Sequence, residues 1–140
     1  MDGGPPADRW EIRIEKEADL IAVRQLVREL TKTHHFDQFA TAALTTAASE
    51  LGRNIWVHAR PGVARIAVVR NGARTGLELE FADRGPGIAD LQKALAGGYS
   101  TAKSLGLGLS GTKRLVDEFT IETAPGQGTR ILIRKWKKEF

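Results

Sequence analysis

The chain has 140 residues, a net charge of +4 and no cysteine. Its length suits one domain with one hydrophobic core, and its 41% hydrophobic and 27% charged content is ordinary for a globular protein. The composition excludes disulfides and thiol catalysis, and no apolar run reaches the roughly 20 residues of a transmembrane helix. We expect a flexible lead over residues 1–8, a single domain over residues 9–140 and a cytoplasmic protein.

The excess positive charge is concentrated near the C-terminus, in the run from Arg134 to Lys138. Such a run suits nucleic acid or an acidic protein partner equally well. No signature of a nucleic-acid-binding fold accompanies it. We therefore expect a solvated surface here, and neither nucleic acid nor a membrane as a partner.

Hydrophobic periodicity predicts the elements in chain order. Alternation of Trp10, Ile12 and Ile14 indicates a strand, apolar residues three and four apart indicate helices, and Asp37 is a candidate helix cap. We expect strands at residues 10–15, 64–70, 76–82, 120–123 and 129–135, helices at residues 19–33, 37–58, 90–96 and 110–119, and a loop at residues 97–107. This order predicts a mixed, mainly antiparallel sheet with helices layered on one face.

The first motif, S-E-L-G-R-N, lies in the second half of the second predicted helix. Glu50 and Asn54 lie four residues apart, so both side chains leave the same helix face one turn apart. The amide oxygen of Asn54 can be a ligand of Mg²⁺, and Glu50 can act as a general base towards a hydroxyl. A pair of exposed helix residues would have the same spacing, so the other motifs decide the interpretation.

The second motif, D-R-G-P-G-I, follows the third predicted strand. Asp83 at the strand end can accept a hydrogen bond from an exocyclic amine such as that of adenine. Gly85 and Gly87 allow the backbone to approach a flat ring closely, because neither carries a Cβ atom. Read alone, this motif is also an ordinary turn.

The third motif, G-L-G-L-S-G-T-K, runs from Gly106 to Lys113 and matches neither a dinucleotide fingerprint nor a P-loop in its context. Its unhindered amides leading into a helix predict an anion site, with Lys113 one turn into that helix. The loop before it, with Ser100 and Thr101, is a candidate lid over a nucleotide. The fourth motif, G-Q-G-T, places the Thr129 hydroxyl at a strand start, within reach of adenine.

The ordered motifs resemble the ATP-binding domains of the GHKL superfamily, and within it the small bacterial serine-protein kinases of the RsbT type. The stretches E-L-G-R-N-I-W, G-Y-S-T, L-G-L-G-L-S-G-T-K-R-L-V-D-E-F and R-K-W carry the resemblance, which covers residues 41–136. It implies the Bergerat α/β sandwich fold, ATP and Mg²⁺ as cofactors, and a protein serine/threonine kinase of bacterial stress signalling. Such kinases phosphorylate STAS-domain antagonist proteins of the stressosome and, once released, activate a PP2C-type phosphatase.

The resemblance also implies a role for each motif residue. Asn54 would hold Mg²⁺, Glu50 would be the catalytic base and Asp83 would bind the adenine amine. The wider set of expected cofactor-binding residues is Gly85, Gly87, Ile88, Ser100, Thr101, Gly106, Leu107, Gly108, Leu109, Lys113 and Thr129. The segment Ala102-Lys103-Ser104 departs from the small, glycine-rich residues expected there, which affects how the lid closes.

Two alternatives stay open. An anti-sigma factor of the same fold would sequester a sigma factor and phosphorylate its antagonist. A binding module of a different class would use nucleotide only to regulate a protein contact. A histidine-kinase fragment is not expected, because no helix pair with a phosphoacceptor histidine precedes the motifs.

Overall fold

The structure is a computed structural model of the chain and describes residues 8–90 and 105–138. In chain order its elements are β1 (Arg9–Ile14), α1 (Glu17–Thr33), α2 (Gln38–His58), β2 (Gly62–Asn71), β3 (Arg74–Asp83), α3 (Leu105–Leu115), β4 (Glu118–Thr123) and β5 (Thr129–Trp136). The five predicted strands and the first two predicted helices are confirmed, with ends that differ by at most two residues. The predicted helix at residues 90–96 lies, apart from its first residue, outside the described residues.

The five strands form one sheet in the order β1-β2-β3-β5-β4. Every neighbouring pair is antiparallel, so the described sheet contains no parallel pair, although a mixed sheet was expected. A two-residue turn joins β2 to β3, and Gly72 in that turn has a φ of +63°. Glycine adopts this conformation without the steric cost that a Cβ atom would add, which favours the tight hairpin predicted at Asn71-Gly72.

The helices cover one face of the sheet, as predicted. Leu77, Leu79 and Phe81 alternate along β3 with residues that point away, and each is at most 2% exposed. Ile131 and Ile133 of β5 extend the same apolar layer. From the helical side, α2 contributes buried residues three and four apart, at Ala40, Leu44, Ala47, Ala48, Leu51 and Ile55.

The opposite face of the sheet carries charged side chains that pair with one another across strands. Arg134 donates from Nε to Glu78 at 2.7 Å and from Nη1 to Glu118 at 2.9 Å. Glu80 lies between Arg65 and Arg130 and accepts a hydrogen bond from each. This face needs no second helical layer, because its groups are polar and have partners on the sheet itself.

The α2 helix begins with the predicted cap. The Asp37 carboxylate accepts a hydrogen bond from the backbone N–H of Ala40 at 2.7 Å, which satisfies one of the free amides of the first turn. None of the helices in the described part of the chain is long and apolar enough to cross a membrane.

The last helix differs from its prediction at both ends. A helix was expected at residues 110–119, but α3 begins at Leu105, ends at Leu115, and leaves Phe119 in β4. Three glycines in this segment lower its intrinsic helix propensity and hid the first turn from a periodicity search. Packing outweighs propensity here, because Leu109 is fully buried in the core and Gly108 lies against α2.

Candidate active site

Three polar side chains lie in one row on the helix-facing side of the sheet, where β3 ends and β5 begins. Asp83 pairs with Thr129 across β3 and β5, and Thr129 pairs with Thr123 across β5 and β4. Asp83 follows Phe81 by two positions and Thr129 precedes Ile131 by two, so both point to the face of those core residues. All three polar residues are half-buried and line the open end of the core.

The two threonine hydroxyls form a short chain of hydrogen bonds. The oxygens Oγ1 of Thr123 and Thr129 are 2.9 Å apart, and the Thr123 hydroxyl donates to the carbonyl of Gly128 at 3.0 Å. Thr123 has one hydroxyl proton, so Thr129 donates to Thr123, which also accepts from the Ile88 N–H at 3.0 Å. This arrangement leaves lone pairs of the Thr129 oxygen as acceptors for a ligand or water.

The Asp83 carboxyl is held by backbone amides at the end of its strand. Its Oδ1 atom accepts a hydrogen bond from the Gly85 N–H at 2.8 Å. Burial raises the pKa of the Asp83 carboxyl, and hydrogen bonds from the backbone of Gly85 and Thr129 oppose that rise. The carboxylate is therefore fixed in place but poorly solvated, and a donor arriving from a ligand would favour its charged form.

The turn after Asp83 is locked against the turn between β4 and β5. The Gly126 N–H donates to the carbonyl of Pro86 at 2.7 Å. Gly87 has a φ of +75°, and a Cβ atom there would overlap the carbonyl oxygen of Ala124. Only glycine fits this position without moving the backbone, which explains the G-P-G spacing after Asp83.

Glu50 and Asn54 lie on one face of α2, one turn apart as predicted, and both are half-buried. Gly108 of α3 faces them. A Cβ atom at Gly108 would lie 3.3 Å from Glu50 Oε2 and 3.8 Å from Asn54 Nδ2. The missing side chain at Gly108 thus allows the backbone of α3 to approach both polar groups closely.

The end of α2 connects this pair to the Asp83 row. Ala59 caps the C-terminus of α2, and a Cβ atom at Gly85 would collide with it. Asn54 is five residues before Ala59, or about 7.5 Å along the helix axis. The polar pair on α2 and the carboxyl at the end of β3 therefore border the same end of the fold.

The glycine-rich motif occupies the start of α3. Gly106 and Leu107 lie in its first turn, where backbone N–H groups have no partner inside the helix and can bind an anion. Leu109 is fully buried, so only its backbone can contact a ligand. The predicted place of Lys113 is wrong: because α3 begins at Leu105, Lys113 lies in the last turn, away from the N-terminus.

Some expected site residues are outside the described part of the chain. These are Ser100 and Thr101 of the candidate lid, together with the segment Ala102-Lys103-Ser104. Among the described residues, no group of three or more His, Cys, Asp or Glu is arranged to hold a metal ion. A metal at this site would therefore need ligands from the substrate or cofactor in addition to the Asn54 amide.

Thr123 is the site residue that the sequence analysis missed. Its hydroxyl joins the Ile88 amide, the Gly128 carbonyl and Thr129, yet in the sequence it looks like an ordinary strand residue. The available signal was the short turn that contains G-Q-G. The residues that flank a hairpin turn pair with each other, and here they are Thr123 and Thr129. That pairing places Thr123 beside Thr129.

A family model with the description "Histidine kinase-like ATPase domain" matches residues 14–135. The chain belongs to this family. An ATPase domain of this kind implies ATP use, which agrees with the polar row, the glycine turn and the Glu50–Asn54 pair. The match confirms the GHKL resemblance seen in the motifs.

The chain is also similar to individual proteins over two thirds or more of its length. The chain is 43% identical over 129 residues to the serine/threonine-protein kinase RsbT of Bacillus subtilis (strain 168), which covers 92% of this chain and 97% of RsbT. An anti-sigma F factor of Thermoanaerobacter sp. (strain X514) is 29% identical over 101 residues, covering 68% of this chain and 69% of that protein. The first match supports protein kinase activity for this member of the histidine kinase-like ATPase family.

Solved structures confirm the fold. A chain of the SiaB–SiaC complex from Pseudomonas aeruginosa superposes with a TM-score of 0.57 at 13% identity, covering 91% of this chain and 88% of that one. The mycobacterial sensor histidine kinase MprB superposes with a TM-score of 0.55 at 17% identity, covering 94% and 99%. At these identities the likeness concerns the fold alone, which is the predicted α/β sandwich.

Proposed function

We propose that this protein is a cytoplasmic, ATP- and Mg²⁺-dependent serine/threonine-protein kinase that acts as a partner switch. The observation that carries the proposal is the arrangement of Glu50, Asn54 and Gly108. A carboxylate and an amide stand one turn apart on α2, and the backbone of α3 at Gly108 approaches both closely. The match to a serine/threonine-protein kinase over 92% of the chain supports phosphoryl transfer as the use of this pair.

Adenine would bind at the row formed by Asp83, Thr129 and Thr123. The Asp83 carboxylate is positioned by the Gly85 N–H and can accept a hydrogen bond from the adenine amine. The Thr129 oxygen has acceptor capacity left, because its proton is used by Thr123. Gly85 and Gly87 would shape this site by close packing, because a Cβ atom at Gly85 would collide with Ala59 and one at Gly87 with Ala124.

The phosphates would extend from the adenine row towards the first turn of α3. The free N–H groups of that turn, including those of Gly106 and Leu107, can hydrogen-bond phosphate oxygens. Ser100 and Thr101, from the segment before α3, would complete the site as a lid. Ile88 contributes through packing, because its N–H is already bound to Thr123.

The residues present fit Mg²⁺ held jointly with a nucleotide. The Asn54 side chain can offer its amide oxygen to Mg²⁺, which in proteins is commonly bound by few protein ligands plus phosphate oxygens and water. When bound, the ion would neutralise negative charge on the phosphates during transfer. Glu50 would accept the proton of the attacking serine or threonine hydroxyl and orient that oxygen.

For the protein substrates, we propose STAS-domain antagonist proteins of a stressosome-type complex, with activation of a PP2C-type phosphatase when the kinase is released. The support is the resemblance of residues 41–136 to RsbT-type kinases, strengthened by the extent of the RsbT match. An anti-sigma factor kinase is the second candidate. The match to an anti-sigma F factor favours it, although it spans only 68% of the chain.

The test is transfer of radiolabelled phosphate from ATP to each STAS-domain protein of the same genome, with Mg²⁺ and with excess chelator. The proposal predicts label on a serine or threonine of one such protein, and its loss when Mg²⁺ is chelated. ATP binding without transfer to any of them would contradict it and favour a nucleotide-regulated binding module. A stable complex with a sigma factor would instead support the anti-sigma alternative.

A further inference from the structure

A groove lies at the end of the fold opposite to Asp83. There β3 begins at Arg74, β5 ends at Trp136, α2 begins after Asp37 and α3 ends at Leu115. Together they enclose a groove with a volume of about 560 Å³. We call it the basic groove and define it by Phe39, Arg74, Arg114, Lys135, Trp136 and Lys137.

The basic groove contains an unusually exposed aromatic ring. Phe39 is 86% exposed, whereas the other exposed large hydrophobic residues in the described part of the chain, Ile21 and Val57, are 46% and 47% exposed. A single exposed apolar residue is normal on a protein surface. Phe39 differs because it borders a concavity that Trp136 and Leu115 also line, so a partner side chain inserted there would contact several apolar groups at once.

Three cations of the basic groove have no carboxylate partner among the described residues. Arg114, Lys135 and Lys137 form no ion pair there. Arg74 is engaged differently: it lies over the Trp136 ring, 4.5 Å from its centroid, and that ring donates a hydrogen bond to Glu118. By contrast, the arginines of the exposed sheet face are paired with glutamates. The groove thus carries positive charge that is not neutralised by ion pairs within the described part of the chain.

The two carboxylates that line the groove are already engaged. Asp37 accepts from the Ala40 N–H at 2.7 Å, and Asp117 accepts from the Trp136 N–H at 2.8 Å. Asp37 thereby holds the start of α2 and Asp117 the end of β5, so each has less hydrogen-bonding capacity left for a cationic ligand. The groove therefore keeps a positive balance, and its exposed Phe39 ring offers a contact surface to an apolar side chain of a protein segment.

We propose that the basic groove docks an acidic segment of a partner protein that inserts a large apolar side chain beside Phe39 and Leu115. Carboxylates of the segment would pair with Arg114, Lys135 and Lys137, which form no ion pair in the described part of the chain. The apolar contact would bury Phe39, and aromatic and arginine residues are the types that contribute most at protein interfaces. Charge supplies attraction at a distance, and the apolar side chain supplies the anchor.

The docking site is separate from the candidate active site. Phe39 and Glu50 lie on the same helix, eleven residues or about 16 Å apart along its axis. A partner in the groove therefore leaves the nucleotide end open, and ATP and the segment can bind together. The proposal does not depend on phosphate transfer, so it can fail or hold independently of the kinase assignment.

The experiment is a fluorescence anisotropy titration of the full chain with a short labelled peptide rich in Glu and Asp that carries two leucines one helical turn apart. We expect saturable binding that weakens as salt rises. Phe39→Ala and Arg114→Glu should each weaken it by about tenfold. The matched controls are Ile21→Ala and Arg9→Glu, which change the same kinds of exposed group outside the groove lining and should leave the affinity unchanged.

Several outcomes would overturn the proposal. Equal weakening by the control variants would show that the peptide responds only to overall charge. If a peptide with Gln and Asn in place of its acids bound as tightly as the original, the charge part of the proposal would be wrong. If a peptide with alanines in place of its leucines did so, the apolar part would be wrong. Tighter binding of a single-stranded oligonucleotide than of the acidic peptide would assign the groove to nucleic acid instead.

Discussion

The two ends of α2 border regions that differ in how far their polar and apolar groups already have partners. At its C-terminal end, Asp83, Thr123 and Thr129 are hydrogen-bonded to backbone groups or to one another, and the glycine turns beside them leave no room for side chains. At its N-terminal end, Phe39 is exposed, and the neighbouring Arg114, Lys135 and Lys137 form no ion pair in the described structure.

This difference indicates which kind of ligand each region suits. A rigid small molecule is recognised best by polar groups that are already fixed, since little order remains to be imposed on binding. A protein segment can supply the missing charges and apolar cover itself. The predictions below test whether the nucleotide end depends on this fixed geometry, in order of decreasing expected effect.

The largest effect is expected from Glu50→Gln. The amide keeps the size of the side chain but cannot accept the proton of an attacking hydroxyl, so the rate of phosphate transfer should fall by about 10² to 10⁴-fold. ATP affinity should change little, because Glu50 is not assigned to nucleotide binding. Single-turnover transfer and calorimetric ATP binding measure the two effects.

The matched control for Glu50→Gln is Glu29→Gln, an exposed position on α1. It should transfer phosphate at the wild-type rate. Near-normal transfer by Glu50→Gln would show that Glu50 is not the base.

Asp83→Asn should weaken ATP binding by about ten- to a hundredfold, because a charged acceptor for the adenine amine is replaced by a neutral one. The free energy of unfolding at neutral pH should not fall, since the variant removes a half-buried charge whose pKa burial raises. Calorimetry and urea unfolding test both parts. Lower stability together with unchanged ATP affinity would mean that Asp83 has a structural role only.

Gly108→Ala and Gly111→Ala form a matched pair on α3. At Gly108 the new methyl group would lie 3.3 Å from Glu50 Oε2, whereas at Gly111 no atom lies within 4 Å. We expect Gly108→Ala to slow transfer about tenfold or more by displacing Glu50. Gly111→Ala should leave transfer unchanged and add up to about 1 kcal/mol of helix stability.

Equal transfer rates in the two glycine variants would contradict the close approach of α3 to the Glu50–Asn54 pair. Transfer is measured at saturating ATP, and thermal unfolding of both variants verifies that each remains folded.

The smallest effect is a pH dependence. As pH falls from ~7 through the raised pKa of Asp83, the carboxylate is protonated and ATP affinity should fall. The stability contribution has the opposite sign: a carboxyl whose folded pKa is raised destabilises the fold at high pH, and that cost disappears as pH falls. The difference between wild type and Asp83→Asn isolates both trends, and identical pH profiles would contradict them.

The sequence predicted those parts of the fold that depend on local pattern. Strand alternation and helical spacing gave the five strands, α1 and α2, and the four-residue spacing of Glu50 and Asn54 gave their shared face. The start of α3 was missed because three glycines mask its periodicity, and the place of Lys113 was wrong for the same reason. In each case packing against α2, which local pattern does not contain, decided the structure.

The candidate site shows the same division. Asp83 and Thr129 were found from turn motifs, but their side-by-side position depends on the register between β3 and β5. Thr123 was missed because its importance comes only from lying beside Thr129. The approach of Gly108 to Glu50 joins two residues more than fifty positions apart in sequence, and no local pattern predicts that contact.

The most direct test of the account is a crystal structure of the chain with Mg²⁺ and a non-hydrolysable ATP analogue. We predict the adenine amine within hydrogen-bond distance of the Asp83 carboxylate, the Asn54 amide oxygen on the metal, and the terminal phosphate next to Glu50. A nucleotide bound elsewhere, or one whose phosphates point away from Glu50 and Asn54, would contradict the assignment of this end of the fold as a kinase site.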